Sequence, residues 1–534
     1  ERLGPREAAF LQASLAARRQ RLRTRQALGA GAVTLLLVAL LPWAKARYDR
    51  AHSLSVLHDV AQKAVAESAA RRAEALAARQ AAFARFDAFE EQEGETLWAT
   101  ALTKVADADA AGAQAERALE RVHEVDPGDT AAREQLAALT VERLRFALVT
   151  HRPTEAEPLQ ATLAQVDPEG RHRARLEAPA RVDLTSTPAG AQVRLLRYVD
   201  TNGRKEAQDA GVLGRTPLKD VAIAPGSVVL VLEAEGHAAV RLPLLLEAAR
   251  VERVSLSLPE ATKVPEGFVY IPPGTFLSGH AGDEGLRRYF LHAWPLRPVS
   301  TDAYLIARHE TTFGEWMAFL DSLPPEEATR RAPRLQQLLN GVALERGRDG
   351  RWKLTLSPST ARYVASEGEP VRYTARTTRA EQDWRRFPVS GVSLEDVRAY
   401  AAWLDATGRV PGARPCSDFE WERAARGADA RLYPHGDVLA PDDINHDVTY
   451  GRQPGGFGPD AVGSHPASAS PFGVQDLSGN VWEWTVSAGP SPEPVNRGGC
   501  WYFGTLSALV PNREFSEASH RDPLLGVRLC ASVR

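Results

Sequence analysis

The sequence has few cysteines and no excess of charge of one sign, and both shortages exclude classes of protein. Its 534 residues contain three cysteines, Cys416, Cys500 and Cys530. These are too few and too scattered for a disulfide framework or a CxxC-type metal site, and at most one bridge can form. The 65 basic and 68 acidic residues give a net charge of −3, so no overall field favours nucleic acid. With 44% hydrophobic and 25% charged residues, the composition is that of a multidomain globular protein.

Charge is also missing from one local stretch, residues 26–44, which reads QALGAGAVTLLLVALLPWA. As a helix it would extend roughly 28 Å, enough to cross a hydrocarbon core of about 30 Å. Five arginines lie between Arg18 and Arg25, and fewer basic residues follow the stretch, so the N-terminal side is predicted to be cytoplasmic. The sequence thus predicts a cytoplasmic juxtamembrane segment over residues 1–25, a single transmembrane helix, and an extracytoplasmic remainder. The alternatives are a buried core helix and a cleaved signal peptide.

Proline is absent between Trp43 and Asp126, where alanine, glutamate, arginine and leucine dominate. This composition predicts a helical stalk over residues 45–150, with three phenylalanines on one helical face: Phe83, Phe86 and Phe89. Residues 115–139, with a turn at Asp-Pro-Gly, resemble the helix-turn-helix junction of a tetratricopeptide repeat. A generic helical hairpin is the alternative.

Prolines punctuate residues 151–180 and predict a linker. Residues 181–260 then alternate with period two and are rich in β-branched residues, which predicts a small antiparallel sheet domain. The turn TPAGA (residues 187–191) and the motif GRTPL (residues 214–218) resemble the PEGA family. The resemblance implies a spacer or surface module of bacterial envelope proteins, and His237 is interpreted as a turn residue.

Residues 264–534 alternate short strands with capped helices. A strand-turn-strand entry is followed by a helix near residues 303–323, and Ser393 and Ser417 are predicted N-caps. The polar segment at about residues 324–387 shows no strong periodicity and is interpreted as an insertion.

Three further motifs complete this pattern: DLSGNVWEW (residues 476–484), VNRGGCWY (residues 495–502) and LLGVRLC (residues 524–530). In order and spacing, the motifs of residues 264–534 resemble the formylglycine-generating enzyme, or sulfatase-modifying factor, family. The resemblance implies an irregular, loop-rich α+β fold that is related to C-type lectins and often held by calcium.

The catalytic members of this family bind Cu(I) through two cysteine thiolates, and the resemblance puts those positions at Phe503 and Ala508. Neither side chain can bind copper, so copper and catalytic residues are not expected. Cys500 stays a weak candidate for a reactive thiol, with a buried or bridged structural cysteine as the alternative. Cys530 matches a position that is bridged in some members, but its partner position is Ala401. A bridge between Cys500 and Cys530 stays open.

The resemblance implies one calcium site in the motif DLSGNVWEW, with carboxylates, backbone carbonyls and an amide as oxygen ligands: Asp476, Gly479, Asn480, Val481 and Glu483. In the alternative interpretation, an arginine pairs with Glu483 and Asn480 satisfies a turn. A second family site would use Asn445, but its acidic partner position is Gly455, so this site is expected to be weak or lost. Four more residues are expected to line a pocket or the core: Trp482, Trp484, Arg497 and Trp501.

Two functions remain from the sequence alone. The first is a membrane-anchored binding or sensor module with an unknown extracytoplasmic ligand. The second is a formylglycine-generating oxidase or another oxygenase of the superfamily, although His52, His58 and His123 do not form the iron-binding pattern of the ergothioneine-synthase-like relatives. The whole resembles the C-terminal part of bacterial membrane Ser/Thr kinases. Because the chain begins at Glu1 and its sole methionine is Met317, an upstream cytoplasmic domain, such as a kinase, is expected.

Overall fold

The computed structural model describes residues 4–335, 341–490 and 492–533. Small parts of the predicted juxtamembrane segment, insertion and C-terminal domain, at residues 1–3, 336–340, 491 and 534, lie outside the described residues. The chain divides into two compact units. The helical unit comprises residues 1–78, 100–146 and 155–169, and the C-terminal unit comprises residues 79–99, 147–154 and 170–534.

Helices precede the first strand, with these bounds: α1 (Pro5–Asp87), α2 (Glu91–Val125), α3 (Thr130–Val149), α4 (Pro153–Val166) and α5 (Arg173–Glu177). The predicted stalk is therefore helical. The prediction of a linker over residues 151–180 was wrong, because α4 and α5 occupy most of it. Pro153 is the first residue of α4, where its missing N–H group is not needed for a helical hydrogen bond.

The helical unit is held by small apolar side chains. Its core includes Ala61, Ala115, Leu119 and Val122, all with 0% exposure, packed between neighbouring helices. The apolar stretch of α1 is instead exposed along its length. By length and composition alone, α1 is the one helix in the described part of the chain that could cross a membrane.

The β module of the C-terminal unit contains two sheets built from β1 (Ala180–Thr187), β2 (Gln192–Thr201), β3 (Arg204–Arg215), β4 (Leu218–Ile223), β5 (Gly226–Glu233), β6 (Val240–Leu246) and β7 (Val251–Ser257). The sheet orders are β4-β1-β7 and β3-β2-β5-β6. Apolar residues of the alternating strands, such as Val193, Leu230 and Leu232, form the core between them. One pair, β1 with β7, is parallel rather than antiparallel.

The remaining elements form the C-terminal domain: β8 (Phe268–Ile271), β9 (Gly274–Ser278), α6 (Glu284–Tyr289), β10 (Arg297–Thr301), β11 (Tyr304–Ala307), α7 (Phe313–Asp321), α8 (Pro325–Arg331), β12 (Arg334–Leu335), β13 (Gly341–Arg346), β14 (Trp352–Ser357), β15 (Tyr363–Ser366), β16 (Val371–Arg372), β17 (Glu381–Gln382), α9 (Leu394–Ala406), β18 (Ala413–Ser417), α10 (Asp418–Arg426), β19 (Trp482–Val486), β20 (Pro494–Arg497), β21 (Glu514–Phe515), β22 (Leu525–Val527) and β23 (Leu529–Ser532). The largest sheet has the order β21-β20-β19-β18-β23-β11-β8, with β22 beside β19. Ser393 and Ser417 form capping boxes at the starts of α9 and α10, as predicted.

The cysteines are arranged differently from the bridge that the sequence left open. Cys416 on β18 and Cys530 on β23 form a disulfide, and Cys500 is a free, buried thiol. Cys500 and Cys530, whose pairing the sequence left open, are therefore not bridged to each other. Strands β18 and β23 are antiparallel neighbours, which brings the two bridged cysteines together across the sheet.

The insertion folds into regular structure. Strands β12 to β15 form an antiparallel sheet, and β16 and β17 form a hairpin. Alternating residues of β14 are buried, namely Trp352, Leu354 and Leu356. Because the strands of the insertion have only two to six residues, their alternation is too brief to stand out in the sequence.

The β module packs against the C-terminal domain through buried polar contacts. Arg204 donates to both carboxylate oxygens of Asp443, at 2.6 and 2.7 Å. The Ser227 hydroxyl donates to Asp429, and the Arg431 guanidinium lies over the Tyr198 ring. The module is thus an integral part of the C-terminal unit.

Candidate functional site

Phe503 and Ala508, the positions at which the family resemblance implies copper ligands, carry no thiol. Phe503 is 44% exposed and Ala508 is fully buried. Cys500 is also fully buried, and burial raises the pKa of its thiol to about 12. Because the thiolate is the form that binds metals and attacks substrates, Cys500 is not equipped for either role at neutral pH.

Glu483, a predicted calcium ligand, lies on β19 and is 1% exposed. Its carboxylate accepts hydrogen bonds from Arg528 Nη2 at 2.8 Å and from Trp421 Nε1 at 2.6 Å. Burial raises the pKa of Glu483, and the Arg528 charge opposes this shift. The arginine pairing that the sequence left as an alternative is therefore present.

Glu310 is a functional candidate that the sequence interpretation missed. It lies three residues after the end of β11, is 2% exposed, and neither of its carboxylate oxygens has a hydrogen-bond partner in the structure. Burial first, and then the Asp476 charge, raise the pKa of Glu310 well above its usual range, while Arg528 opposes the shift. The signal available in the sequence was weak: a glutamate three residues beyond an apolar strand and just before a capped helix.

Together these residues form the Glu310 cluster, defined as Glu310, Asp476, Glu483 and Arg528. Asp476 has a left-handed backbone (φ 58°), and its Oδ2 accepts from the Gly463 N–H at 2.6 Å. Three buried carboxylates share one guanidinium, so the cluster carries a net negative charge when all three are ionised. A buried excess of this kind requires a cation or a proton.

The Glu310 cluster has the donor chemistry that calcium requires, because its orphaned carboxylate offers hard oxygen ligands. Within the described ranges, however, no group of three or more His, Cys, Asp and Glu side chains is arranged to hold a metal ion. A calcium ion here would therefore need backbone oxygens as well, and the carbonyls of Gly479 and Val481 are the ones that the family resemblance implies.

The second family site has different surroundings. The Asn445 side chain donates through Nδ2 to the Gly458 carbonyl at 3.0 Å, and position 455 offers no carboxylate. Asn480 links two distant segments rather than satisfying a local turn, since its Oδ1 accepts from the Asp460 N–H at 3.0 Å and its own N–H donates to the Asn445 carbonyl. These residues do not fit a metal ion.

Next to Asn445 lies the Asp460 cluster, defined as Asp460 with Arg376, Gln382, Tyr450 and His465. All four side chains donate to the fully buried Asp460 carboxylate. Burial opposes its ionisation, but the His465 hydrogen bond and the Arg376 charge lower the pKa of Asp460 to about 2. The Asp460 contacts raise the pKa of His465 in spite of its burial.

Two of the four predicted pocket residues lie in the core. Trp484 is fully buried and donates to the Val392 carbonyl at 2.9 Å. Arg497 is fully buried, pairs with Glu422 at 2.8 Å and lies over the Trp421 ring. Trp482 is 8% exposed, whereas Trp501 lines a narrow recess beside Asn445.

Exposed apolar side chains surround position 503. Tyr502 is 38% exposed, Phe503 44% and Leu506 46%. We call these three residues the aromatic face. The Tyr502 ring contacts the rings of Phe503 and Phe457, at centroid distances of 5.6 and 5.5 Å. Tyr502, Phe503 and Phe457 thus form a continuous group of aromatic contacts.

Fold and site together define an irregular α+β domain with buried carboxylate clusters and no thiol at the copper positions. Residues 255–533, more than half of the chain, match the model of the family described as Sulfatase-modifying factor enzyme 1-like domain. The chain belongs to this family.

Curated relatives share this domain. The chain is similar to the inactive C-alpha-formylglycine-generating enzyme 2 of Bos taurus, with 32% identity over 199 residues that cover 35% of this chain and 56% of the relative. It is similar to the formylglycine-generating enzyme of Mycobacterium tuberculosis, with 29% identity over 246 residues that cover 41% of this chain and 73% of the relative. It is also similar to the Serine/threonine-protein kinase pkn1 of Chlamydia caviae, with 29% identity over 141 residues that cover 23% of this chain and 20% of the kinase. The chain thus spans about half the length of the bovine relative and a fifth of the kinase.

Proposed function

We propose that the chain is a membrane-anchored extracytoplasmic binding module of a bacterial signalling protein, and that it does not act as a copper oxidase. The proposal rests on the absence of a thiol at Phe503 and Ala508, where the family resemblance implies the copper ligands, and on the burial of the one free thiol in the described part of the chain, whose pKa is raised to about 12. An oxidation that depends on two thiolates has no ligands here.

Three features support the location. Helix α1 is long and apolar enough to cross a membrane. The disulfide between Cys416 and Cys530 is typical of an oxidising compartment outside the cytoplasm. The excess of arginines before residue 26 favours a cytoplasmic N-terminus. Protease treatment of intact spheroplasts tests the orientation: the C-terminal domain should be digested from outside, and protection of that domain would contradict the proposal.

The relationship to a signalling protein is supported by the similarity to a Ser/Thr kinase. In this arrangement, an upstream cytoplasmic domain would be connected through α1 to the extracytoplasmic units. The sequence of the gene upstream of Glu1 tests this: a kinase domain supports it, and an unrelated extracytoplasmic domain contradicts it.

The aromatic face is the surface that we assign to ligand binding. Exposed tyrosine and phenylalanine side chains are enriched at binding surfaces because they bury large areas at low entropic cost.

The decisive experiment incubates the purified full chain in detergent with Cu(I), oxygen and a peptide that contains CxPxR. We expect no formylglycine by mass spectrometry, whereas an active family member treated in parallel converts the peptide. Product at a rate comparable to that of the active enzyme would overturn the proposal in favour of the alternative, an oxidase or oxygenase of the same superfamily.

We also propose a structural Ca²⁺ ion at the Glu310 cluster, held by Glu310 and Asp476 together with the carbonyls of Gly479 and Val481. The ion would offset the excess of buried negative charge and would supply no redox chemistry. Thermal unfolding of the full chain should shift upward when chelator is replaced by millimolar Ca²⁺. An unchanged unfolding temperature would exclude this site.

A further inference from the structure

One guanidinium in the C-terminal domain lies where backbone oxygens converge. The Arg376 side chain is 0% exposed. Its Nε donates to the Gly456 carbonyl and its Nη2 to the Gly458 carbonyl, both at 2.7 Å, while Nη1 donates to Asp460 Oδ1. The two carbonyls and the carboxylate all belong to residues 456–460, and all three oxygens accept from the Arg376 guanidinium.

Two aromatic rings complete the enclosure. The Cζ atom of Arg376 lies 3.4 Å from the centre of the Tyr373 ring and 3.8 Å from that of Tyr450. Guanidinium groups stack favourably on aromatic rings, and the planar arrangement of their donors suits several oxygens in one plane. Arg376 is therefore held by hydrogen bonds and by ring contacts, and it has no access to solvent.

The oxygens around Arg376 are of the kind that a hard cation binds, namely two backbone carbonyls and one carboxylate. The family resemblance implies a calcium ion in this region, with Asn445 and the residue at position 455 as ligands. Neither ligand fits a metal here, as described above. The cation that faces these oxygens belongs to the protein itself.

Gly455 supplies an independent observation. A Cβ atom at position 455 would lie 2.3 Å from the Thr374 hydroxyl oxygen and 3.1 Å from the Ala375 Cβ atom. Real Cβ atoms essentially never come within 3.0 Å of another atom, and a contact of 3.1 Å is tighter than most of those observed. Thr374 and Ala375 directly precede Arg376 in the insertion, so the segment that brings the arginine also fills the space that an acidic side chain at position 455 would need.

We propose that Arg376 is a built-in cation that replaces a metal ion in the loop of residues 455–460. The insertion thereby makes this loop independent of calcium. A divalent ion in addition to the arginine would be repelled, because Asp460 already accepts from Arg376 and His465 and has Arg379 at 3.8 Å. The loop keeps the oxygens of a cation site and needs no external cation.

The first test uses the unmodified full chain. Hydrogen exchange of residues 442–460 is measured in chelator and in millimolar Ca²⁺. We expect the same protection of residues 455–460 in both conditions. A change in exchange near Glu310 would reflect the separate calcium site proposed there and does not bear on this test. A protection of residues 455–460 that rises with Ca²⁺ in the unmodified chain would overturn the proposal.

The second test removes the built-in cation in a Glu310→Gln background, so that calcium responses from the Glu310 cluster do not interfere. In chelator, Arg376→Ala should increase exchange in residues 455–460 by about tenfold or more, since a buried carboxylate loses its guanidinium. Calcium should then restore part of the protection, because the freed oxygens now face a space without a charge. Exchange that is unchanged by the substitution, or that shows no calcium response, would count against the proposal.

The matched control is Arg372→Ala. Arg372 lies in the same hairpin, is 69% exposed and pairs with Glu381, so its loss should leave the exchange and the calcium response unchanged. If Arg376→Ala does not fold, Arg376→Gln is used instead, because it keeps two donors but removes the charge. Calcium-dependent protection in Arg376→Gln and its absence in Arg372→Ala would support the proposal, and equal behaviour of the two variants would refute it.

Discussion

The Glu310 cluster and the Asp460 cluster bury carboxylates in the same domain, and they do so with opposite charge balances. At Asp460, one carboxylate accepts hydrogen bonds from four side chains, two of which are cationic or can become so. At Glu310, three carboxylates share Arg528, and both oxygens of Glu310 lack a partner. Burial is similar in the two clusters, so the number and charge of the donors make the difference.

The pKa shifts follow this balance. The partners of Asp460 lower its pKa to about 2, whereas burial and the neighbouring Asp476 raise the pKa of Glu310. A carboxylate with a lowered pKa stabilises the folded state at neutral pH, and one with a raised pKa destabilises it there. The charge of Asp460 is therefore balanced by side chains of the protein, whereas any added positive charge would stabilise the Glu310 cluster.

The largest expected effect comes from removing the one cation of the Glu310 cluster. Arg528→Met should lower the free energy of unfolding by about 3–5 kcal/mol, because Glu483 would remain buried without its charged partner. Urea unfolding of the full chain measures this loss. Arg372→Met is the control, since its exposed ion pair contributes little. A loss no larger than that of the control would mean that Arg528 does not offset the buried carboxylates.

A somewhat smaller loss is expected when the carboxylate of the complete cluster is neutralised. Asp460→Asn should lower the free energy of unfolding by about 2–4 kcal/mol, because Arg376 loses its buried counter-ion. The pH dependence should change as well. The folded pKa of Asp460, about 2, lies below its unfolded value, so its contribution is present above about pH 4 and is lost as the pH falls towards 2.

The free energy of unfolding in urea, measured between pH 2 and pH 6, therefore distinguishes the unmodified chain from the Asp460→Asn variant. The unmodified chain should lose stability more steeply in the acid range than the Asp460→Asn variant does. Parallel curves would show that Asp460 does not have its lowered pKa, and the cluster could then no longer be called complete.

Much of this domain could be predicted from the sequence. The capping boxes at Ser393 and Ser417 each involve residues only three positions apart, so they form without depending on the tertiary structure. The expectation that Phe503 and Ala508 stand at the copper-ligand positions also needed only the motif spacing, and it stays a prediction. These features depend on residues that are close together in the chain, and so a single sequence discloses them.

The clusters could not be predicted in the same way, because they join distant parts of the chain. Arg376 comes from an insertion without evident periodicity, and it contacts oxygens about 80 residues further on. Glu310 and Glu483 lie in distant parts of the sequence, and only the tertiary fold brings them close enough to interact electrostatically. Likewise, the proline content of residues 151–180 indicated a linker, but a proline at the first position of α4 is compatible with a helix.

Substitution of Glu310 is expected to change the free energy of unfolding by a smaller amount and in the opposite direction. In chelator at pH 8, Glu310→Gln should raise the free energy of unfolding by about 1 kcal/mol, because a buried charge without partners is removed. The pKa of Glu310 is higher in the folded than in the unfolded chain. Glu310 therefore destabilises the fold increasingly as the pH rises above the pKa that this carboxyl has in the unfolded chain. The gain should therefore shrink when unfolding is measured towards pH 4.

The same variant should also lose the calcium-dependent rise in unfolding temperature, whereas Glu326→Gln, at an exposed position, should keep it. If Glu310→Gln destabilises the chain at pH 8 and retains the calcium response, the excess of negative charge in the Glu310 cluster is compensated in some other way, and the contrast with Asp460 disappears.

The smallest effect is expected at Cys500, a buried polar group that belongs to neither cluster. With the pKa of its thiol raised to about 12 by burial, only about one thiol in 10⁴ is ionised at pH 8, and iodoacetamide should modify it in urea but not in the folded chain. Cys500→Ser should change the unfolding temperature little, because no charge is left without a partner. Rapid modification of the native thiol would instead indicate an accessible, ionised cysteine beside the aromatic face. That outcome would reopen the possibility of thiol chemistry in a domain whose charged clusters otherwise point to binding and structural roles.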